Sequence, residues 1–305
     1  VENTGTITDA YWDTETTGLD AAIGDDTGTQ TRVTGLETRE MRGVAETTMS
    51  NFDFDATWDV VFEADDGRAV SYPFLRDNPP VRQPGLETLY ADGSGTDADP
   101  YLIEDWRHLD NVRSISGSAF AQNASLDASS DHYTAVVADQ TSGFEPLGDP
   151  IDRFDGSFDG REHTIADLTI DRSGTDYVGL FGVVGPSGSV TNVGLDDADV
   201  TGDRWVGPLA GDNLGEITRS YATGSVSGDS QVGGLVGENR GAVRESYATT
   251  SVDGTNYVGG LAGENRGVVR ESYAAGAVTG PAENESVAGL VGRNTATVAD
   301  AYWDA

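Results

Sequence analysis

Two aspartates, Asp155 and Asp159 in the run FDGSFDG, come nearest to an acid/base couple in this sequence. Paired carboxylates across a glycosidic bond are the machinery of most sugar hydrolases. The glycine after each aspartate points equally to tight turns, and turn chemistry is the preferred reading. Asp92, Asp97 and Asp99 in DGSGTDAD are oxygen-rich and loosely spaced like a calcium loop. They lack the EF-hand spacing and its closing Glu, so turns are again preferred over a metal site. His108, His132 and His163 are too scattered for a zinc pattern. No nucleophile elbow, P-loop or dinucleotide fingerprint occurs in the right context. The residues therefore predict no cofactor and no catalysis. Two glycosylation sequons, Asn123-Ala124-Ser125 and Asn284-Glu285-Ser286, are candidate modification sites.

The charge narrows the partners. The chain carries 52 acidic and 18 basic residues, a net charge of -34, and every basic residue is Arg. Nucleic-acid binding needs a basic face to neutralise phosphates, so that class is excluded. Anionic membrane surfaces are disfavoured for the same reason, and no apolar run is long enough to span a bilayer. An acidic surface without Lys suits molar salt, where the screening length falls to about 3 Å and like charges hardly repel. Cysteine is absent, so disulfides play no part.

The elements that must carry these residues are repeats. VGPLAGDNLGEITRSYATGSVSG begins at Val206, VGGLVGENRGAVRESYATTSVDG at Val232 and VGGLAGENRGVVRESYAAGAVTG at Val258, each 26 residues after the last. Weaker copies begin at Val178 and Val287. Such short units bury a core only by stacking on neighbours. Period-2 alternation places Ser220, Ala222 and Val226 on one face and Tyr221 on the other, and the next two repeats do the same. Tyr221, Tyr247 and Tyr273 should form an outer stack, a candidate ligand stripe. Asn213, Asn239, Asn265 and Asn294 should form a ladder at one corner that holds coil to coil. Glu238, Arg240, Arg244 and Glu245 recur as Glu264, Arg266, Arg270 and Glu271. They read as a solvated face of mixed ion-pair ladders.

The pattern G-L-V/A-G-x-N-x-G-x-V/I-x-x-S-Y-A resembles the GLUG motif of secreted bacterial and archaeal surface proteins. Gly156–Ile165 (GSFDGREHTI) and Gly93–Ile103 (GSGTDADPYLI) look like the lead-in to such arrays. The chain departs from the pattern at Pro208 and Arg161. The resemblance implies an all-β, right-handed β-helix-like solenoid of about 26-residue coils with short capping helices, and it brings no catalytic residues of its own. Glu104–Ser114 is a candidate capping helix, with Trp106, Leu109 and Val112 on one face.

Residues 3–13 (NTGTITDAYWD) match residues 294–304 (NTATVADAYWD), 291 positions on. The sequence thus begins inside one repeat and ends inside another. Residues 1–78 read as the closing end of one solenoid. There Thr34–Glu46 is expected to be a helix, Phe52, Phe54 and Trp58 an aromatic plug, and residues 72–75 a final strand. Residues 79–88 read as a Pro-rich linker, and residues 89–305 as the cap and repeats of the next solenoid. Copies of the chain are the expected partners, end to end as a tandem array or a filament. Asn3, Ile7, Tyr11 and Trp12 would meet the edge carrying Asn294, Val298, Tyr302 and Trp303. The expected function is an extracellular structural repeat protein of a halophile's surface fibre, sheath or matrix. The alternatives are an adhesin module that binds cell-surface glycans and a polysaccharide-degrading solenoid enzyme.

Overall fold

The computed structural model describes residues 2–3, 6–13, 25–26, 29–36, 49, 52, 58–59, 74–75, 90–281 and 286–304. The chain divides into two units, Val1–Leu89 and Tyr90–Ala305.

The second unit is a parallel β-solenoid of about eight turns. Three parallel sheets of eleven, five and eight strands form its sides. Register is kept by the repeats themselves. Val206 faces Val232, which faces Val258, which faces Val287. Ile217, Val243, Val269 and Val298 form a second apolar column. Ala222, Ala248 and Ala274 form a third, which continues at Trp303. A 26-residue spacing puts the same residue at the same point of every coil, so one apolar position per repeat becomes a continuous core. One strand position in each coil packs tightly on the preceding coil, at Gly237 in Val236–Asn239 and Gly263 in Ala262–Asn265. A Cβ on Gly237 would come within 2.5 Å of the Trp205 carbonyl carbon, and one on Gly263 equally close to that of Gln231. Backbone approaches of that kind admit only glycine.

The first coils are built differently. Phe120, Phe154, Phe158 and Phe181 are fully buried there, with Phe154 and Phe181 ring centres 4.8 Å apart. The helix expected over 104–114 forms as an α-helix at Trp106–Asp110 that runs into a 3-10 turn at Asn111–Ile115. Asp105 caps it by accepting from the His108 amide at 2.8 Å. Trp106, Leu109 and Val112 are all buried.

In the first unit, Thr6–Asp13 pairs in parallel with Thr29–Leu36, with Tyr11 opposite Thr34 and Trp12 opposite Gly35. The expected helix over Thr34–Glu46 is therefore wrong at its start. Val33 and Thr34 are β-branched and extend the strand through Leu36. Residues 37–46 and Phe54 lie outside the described residues, as does the linker 79–88. Tyr11 packs edge-on against Phe52 at 5.2 Å, and Trp58–Asp59 pairs antiparallel with Phe74–Leu75.

Candidate functional site

Four ladders run along the repeats of the second unit, and each begins as a single residue per coil. In the asparagine ladder, Asn213 Nδ2 donates to Asn239 Oδ1 at 2.9 Å, Asn239 to Asn265 at 2.8 Å, and Asn265 to Asn294 at 2.8 Å. The second proton of each amide goes to a carbonyl, of Ala242, Val268 and Thr297 in turn. Asn213, Asn239 and Asn265 are fully buried. A buried amide is tolerated only when its donors are satisfied, and here the neighbouring coil satisfies them.

A serine ladder runs parallel to it. Ser246 Oγ accepts from the Ser220 amide and Ser272 Oγ from the Ser246 amide, while each hydroxyl donates to a carbonyl two residues back. On the outside, Tyr221, Tyr247 and Tyr273 stack with ring centres 4.9 Å apart and planes within 2°. Tyr221 lies over Gly194, where a Cβ would meet its ring at 2.6 Å. Tyr247 has both faces covered. Burial, followed by the nearby Asp196 carboxylate, pushes the Tyr221 hydroxyl up to about 12.

The fourth ladder corrects an expectation. Glu238 and Glu264 do not stand on a solvated face but are buried, together with Asp212. Asp212, Glu238 and Glu264 face one another from coil to coil, in register with Arg293. Arg240 Nη2 lies 3.4 Å from Asp212 and 2.9 Å from Glu238. Arg266 Nε lies 3.1 Å from Glu238 and 2.9 Å from Glu264, and Arg293 lies 3.6 Å from Glu264. Carboxylate and guanidinium thus alternate along the axis. Three buried like charges in a column would be prohibitive alone, and the arginines capping them from the rim make the row tolerable. Trp205 Nε1 adds a hydrogen bond to Glu238 at 2.8 Å. Asp212, with a single arginine in contact, is the weak end. Burial raises its carboxyl to about 6 against the pull of Arg240, and one of its oxygens has no hydrogen-bond partner. The signal for this ladder was present as a D or E immediately before three of the four ladder asparagines, with Arg two residues later in two repeats.

The candidate chemical residues accept hydrogen bonds both from their own loops and from residues far along the chain. Asp155 Oδ1 accepts from the Ser187 amide at 3.0 Å, and Asp159 Oδ1 accepts from the Arg161 amide and from Asn192 Nδ2 at 2.9 and 2.8 Å. Asp97 accepts from Ser157 Oγ at 3.3 Å, and Asp92 accepts from the Gly93 amide at 2.8 Å. Asp97 and Asp155 line one groove with Ser157, Ser187 and Ser189. Among the described residues no three His, Asp or Glu side chains gather as a metal would require. His108 is buried, and burial lowers its imidazole below the ordinary value. It shares Asp105 with His132, at 3.5 and 3.9 Å.

Asn123 is exposed, with Nδ2 donating to Glu104 at 2.6 Å, whereas Asn284 lies outside the described residues. Parts of the two matching stretches are strand, Asn3 and Thr6–Asp13 in the first and Asn294, Thr297–Ala299 and Tyr302–Trp303 in the second. Glu2–Asn3 pairs with Asp25–Asp26, and Ile7 faces Gln30. Val298 faces Val269, Tyr302 faces Tyr273, and Tyr302 and Trp303 are both exposed. Among the described residues no helix is long and apolar enough to cross a membrane.

Two relatives share this sequence in part. One is Halomucin of Haloquadratum walsbyi, 39% identical over 147 residues, which are 46% of this chain and 2% of that protein. The other is described as a Gly-rich membrane protein of Evansella cellulosilytica, 38% identical over 133 residues, which are 43% of this chain and 15% of that protein. The chain therefore spans only a small part of the length of either. No protein-family pattern matches it, and no solved structure does.

Proposed function

We propose that this chain is a structural repeat of a halophile's cell surface, a segment of a fibre, sheath or matrix outside the cell. The observation that carries this reading is the asparagine ladder. The most conspicuous repeated polar side chain is used to bind coil to coil, which is what a load-bearing rod requires. The acidic, Lys-free composition supports a molar-salt setting. The similarity to Halomucin, whose name joins salt and mucin, and the GLUG resemblance support a surface location. Fractionation of native cells with an antibody to this chain tests it. Recovery in the envelope or shed matrix is expected, and recovery in the cytoplasm refutes the reading.

End-to-end association of copies belongs to this proposal. One eleven-residue motif occurs twice in the chain, with eight of the eleven residues identical. As Thr6–Asp13 it pairs with a strand later in the chain, and as Tyr302–Trp303 with a strand earlier in it. The repeated sequence therefore accepts a parallel neighbour from either direction. Sedimentation in molar salt should show concentration-dependent growth, and a monomer at every concentration counts against it. Glycosylation at Asn123 and Asn284 completes the proposal.

A further inference from the structure

Three side chains meet where the capping helix Trp106–Asp110 begins: His108, Asp105 and His132. None of them belongs to the four ladders. His108 is buried, and its Nδ1 accepts from the Glu104 amide at 3.3 Å. An imidazole nitrogen that accepts carries no proton, so this bond sets the ring as neutral with its hydrogen on Nε2. The imidazole thus ties the helix back to the residue before its N-cap.

Much of the first coil hangs on that helix start. Trp106 donates from its indole to the Asp127 carbonyl at 2.9 Å and from its amide to the Asp131 carbonyl at 3.3 Å, which ties down the loop leading to His132. Tyr90 is buried beside His108, with ring centres 6.4 Å apart. Tyr90 stacks on Tyr101 at 4.5 Å and donates to the Asn111 carbonyl at 2.8 Å. The next residues, Ala91 and Asp92, pair with Leu102 and so cover the outer edge of the first strand, Tyr101–Ile103.

A second proton on His108 disrupts this arrangement. It would sit on Nδ1, facing the Glu104 N–H, and two donors cannot pair. Asp105 Oδ1, 3.5 Å away, already accepts from the His108 amide at 2.8 Å as the helix cap, and its other oxygen lies 3.9 Å from His132 Nε2. Drawing Asp105 toward a charged ring would weaken the cap. The charged groups around the ring are Asp105, Arg107 and Glu104, with His132 beyond them, and buried Tyr90 stays neutral in this range. Burial outweighs the pull of the two carboxylates and lowers the imidazole below its ordinary 6.5. A group lowered on folding stabilises the fold above its unfolded value and loses that contribution as pH falls through the folded one. Asp110 on the same helix is raised by burial and acts in the opposite sense, so it cannot supply the effect.

We propose that His108 makes this cap an acid-sensitive latch: taking up a proton breaks the bond from Glu104 and frees the helix start and the Tyr90–Asp92 edge cover, while the later coils stay closed. The latch does not depend on the structural role above, and either can fail alone. The test is hydrogen exchange by mass spectrometry on the whole chain in molar KCl at about pH 8 and about pH 5, corrected for intrinsic exchange. Protection over residues 90–110 should fall at least about threefold at the lower pH, and protection over residues 242–274 should not. His108→Gln, whose amide oxygen can take the Glu104 bond but not a proton, should hold protection level, whereas His132→Gln should leave the loss in place. Nitrogen-15 spectra of the native chain give a reading free of any variant: His108 should carry its proton on Nε2 when neutral and titrate below 6.5. Protection unchanged with pH, an equal loss in His108→Gln, a loss removed by His132→Gln, or a neutral ring protonated on Nδ1 overturns the proposal.

Discussion

Asn213 Nδ2 donates to Asn239 Oδ1 at 2.9 Å, a bond between residues 26 apart in sequence and one coil apart in space. Because the next coil repeats it, the bond links neighbouring turns through their side chains as well as their backbones. Asn239→Leu should remove one acceptor and two donors from a buried corner. A loss of roughly 3 kcal/mol is expected from the groups left unmet. Asn294→Ala, at an exposed position where water can take over as acceptor for Asn265, should cost under about 1 kcal/mol. Urea denaturation in molar salt measures both.

Asp212 should make stability fall with rising pH. Its folded value near 6 lies above the ordinary 3.8, so the folded state holds the proton more tightly. The contribution is full below the unfolded value and is lost as pH rises through the folded one. Asp212→Asn, which cannot ionise, should gain about 1–3 kcal/mol at pH 7–8 and nothing below pH 4. Melts across that range read the difference, and a variant less stable at pH 8 contradicts it.

Glu238 is contacted by both Arg240 and Arg266 and by the Trp205 indole. Glu238→Gln leaves two guanidinium groups short of a carboxylate and should cost about 2–4 kcal/mol. The Arg244–Glu216 pair is exposed, so Glu216→Gln should change stability by less than about 0.5 kcal/mol. Equal effects from the two variants would place Glu238 outside the ladder.

The net charge of -34 requires screening. Cooperative folding in molar KCl and expansion in dilute buffer are expected, since self-repulsion rises as the screening length grows. A dichroism melt unchanged between about 0.05 and about 3 M salt contradicts this.

Native material should carry a glycan on Asn123, whose exposed side chain donates to Glu104. Glycopeptide mass spectrometry decides the matter at Asn123 and Asn284 together.

Sequence by itself determined the solenoid. A 26-residue period with several apolar residues, one Asn and one Tyr at fixed places in each copy leaves stacking in register as the arrangement that buries the apolar set and pairs the amides. The helix at Trp106–Asp110 was equally legible, because its apolar residues recur at helical spacing. Thr34 was misread because a favourable N-cap residue is also β-branched, and pairing with Tyr11 made it a strand. Two things were decided only in three dimensions. Tyr177, Trp205, Gln231 and Tyr257 share a left-handed backbone near φ 50–60°, a corner without glycine that no turn motif marks. Such strain persists because coil-to-coil hydrogen bonds on both sides fix the backbone. Burial of Glu238 and Glu264 was likewise hidden. A charged residue two places before an arginine looks solvated in sequence, and only the neighbouring coils supply the counter-charges that let it turn inward.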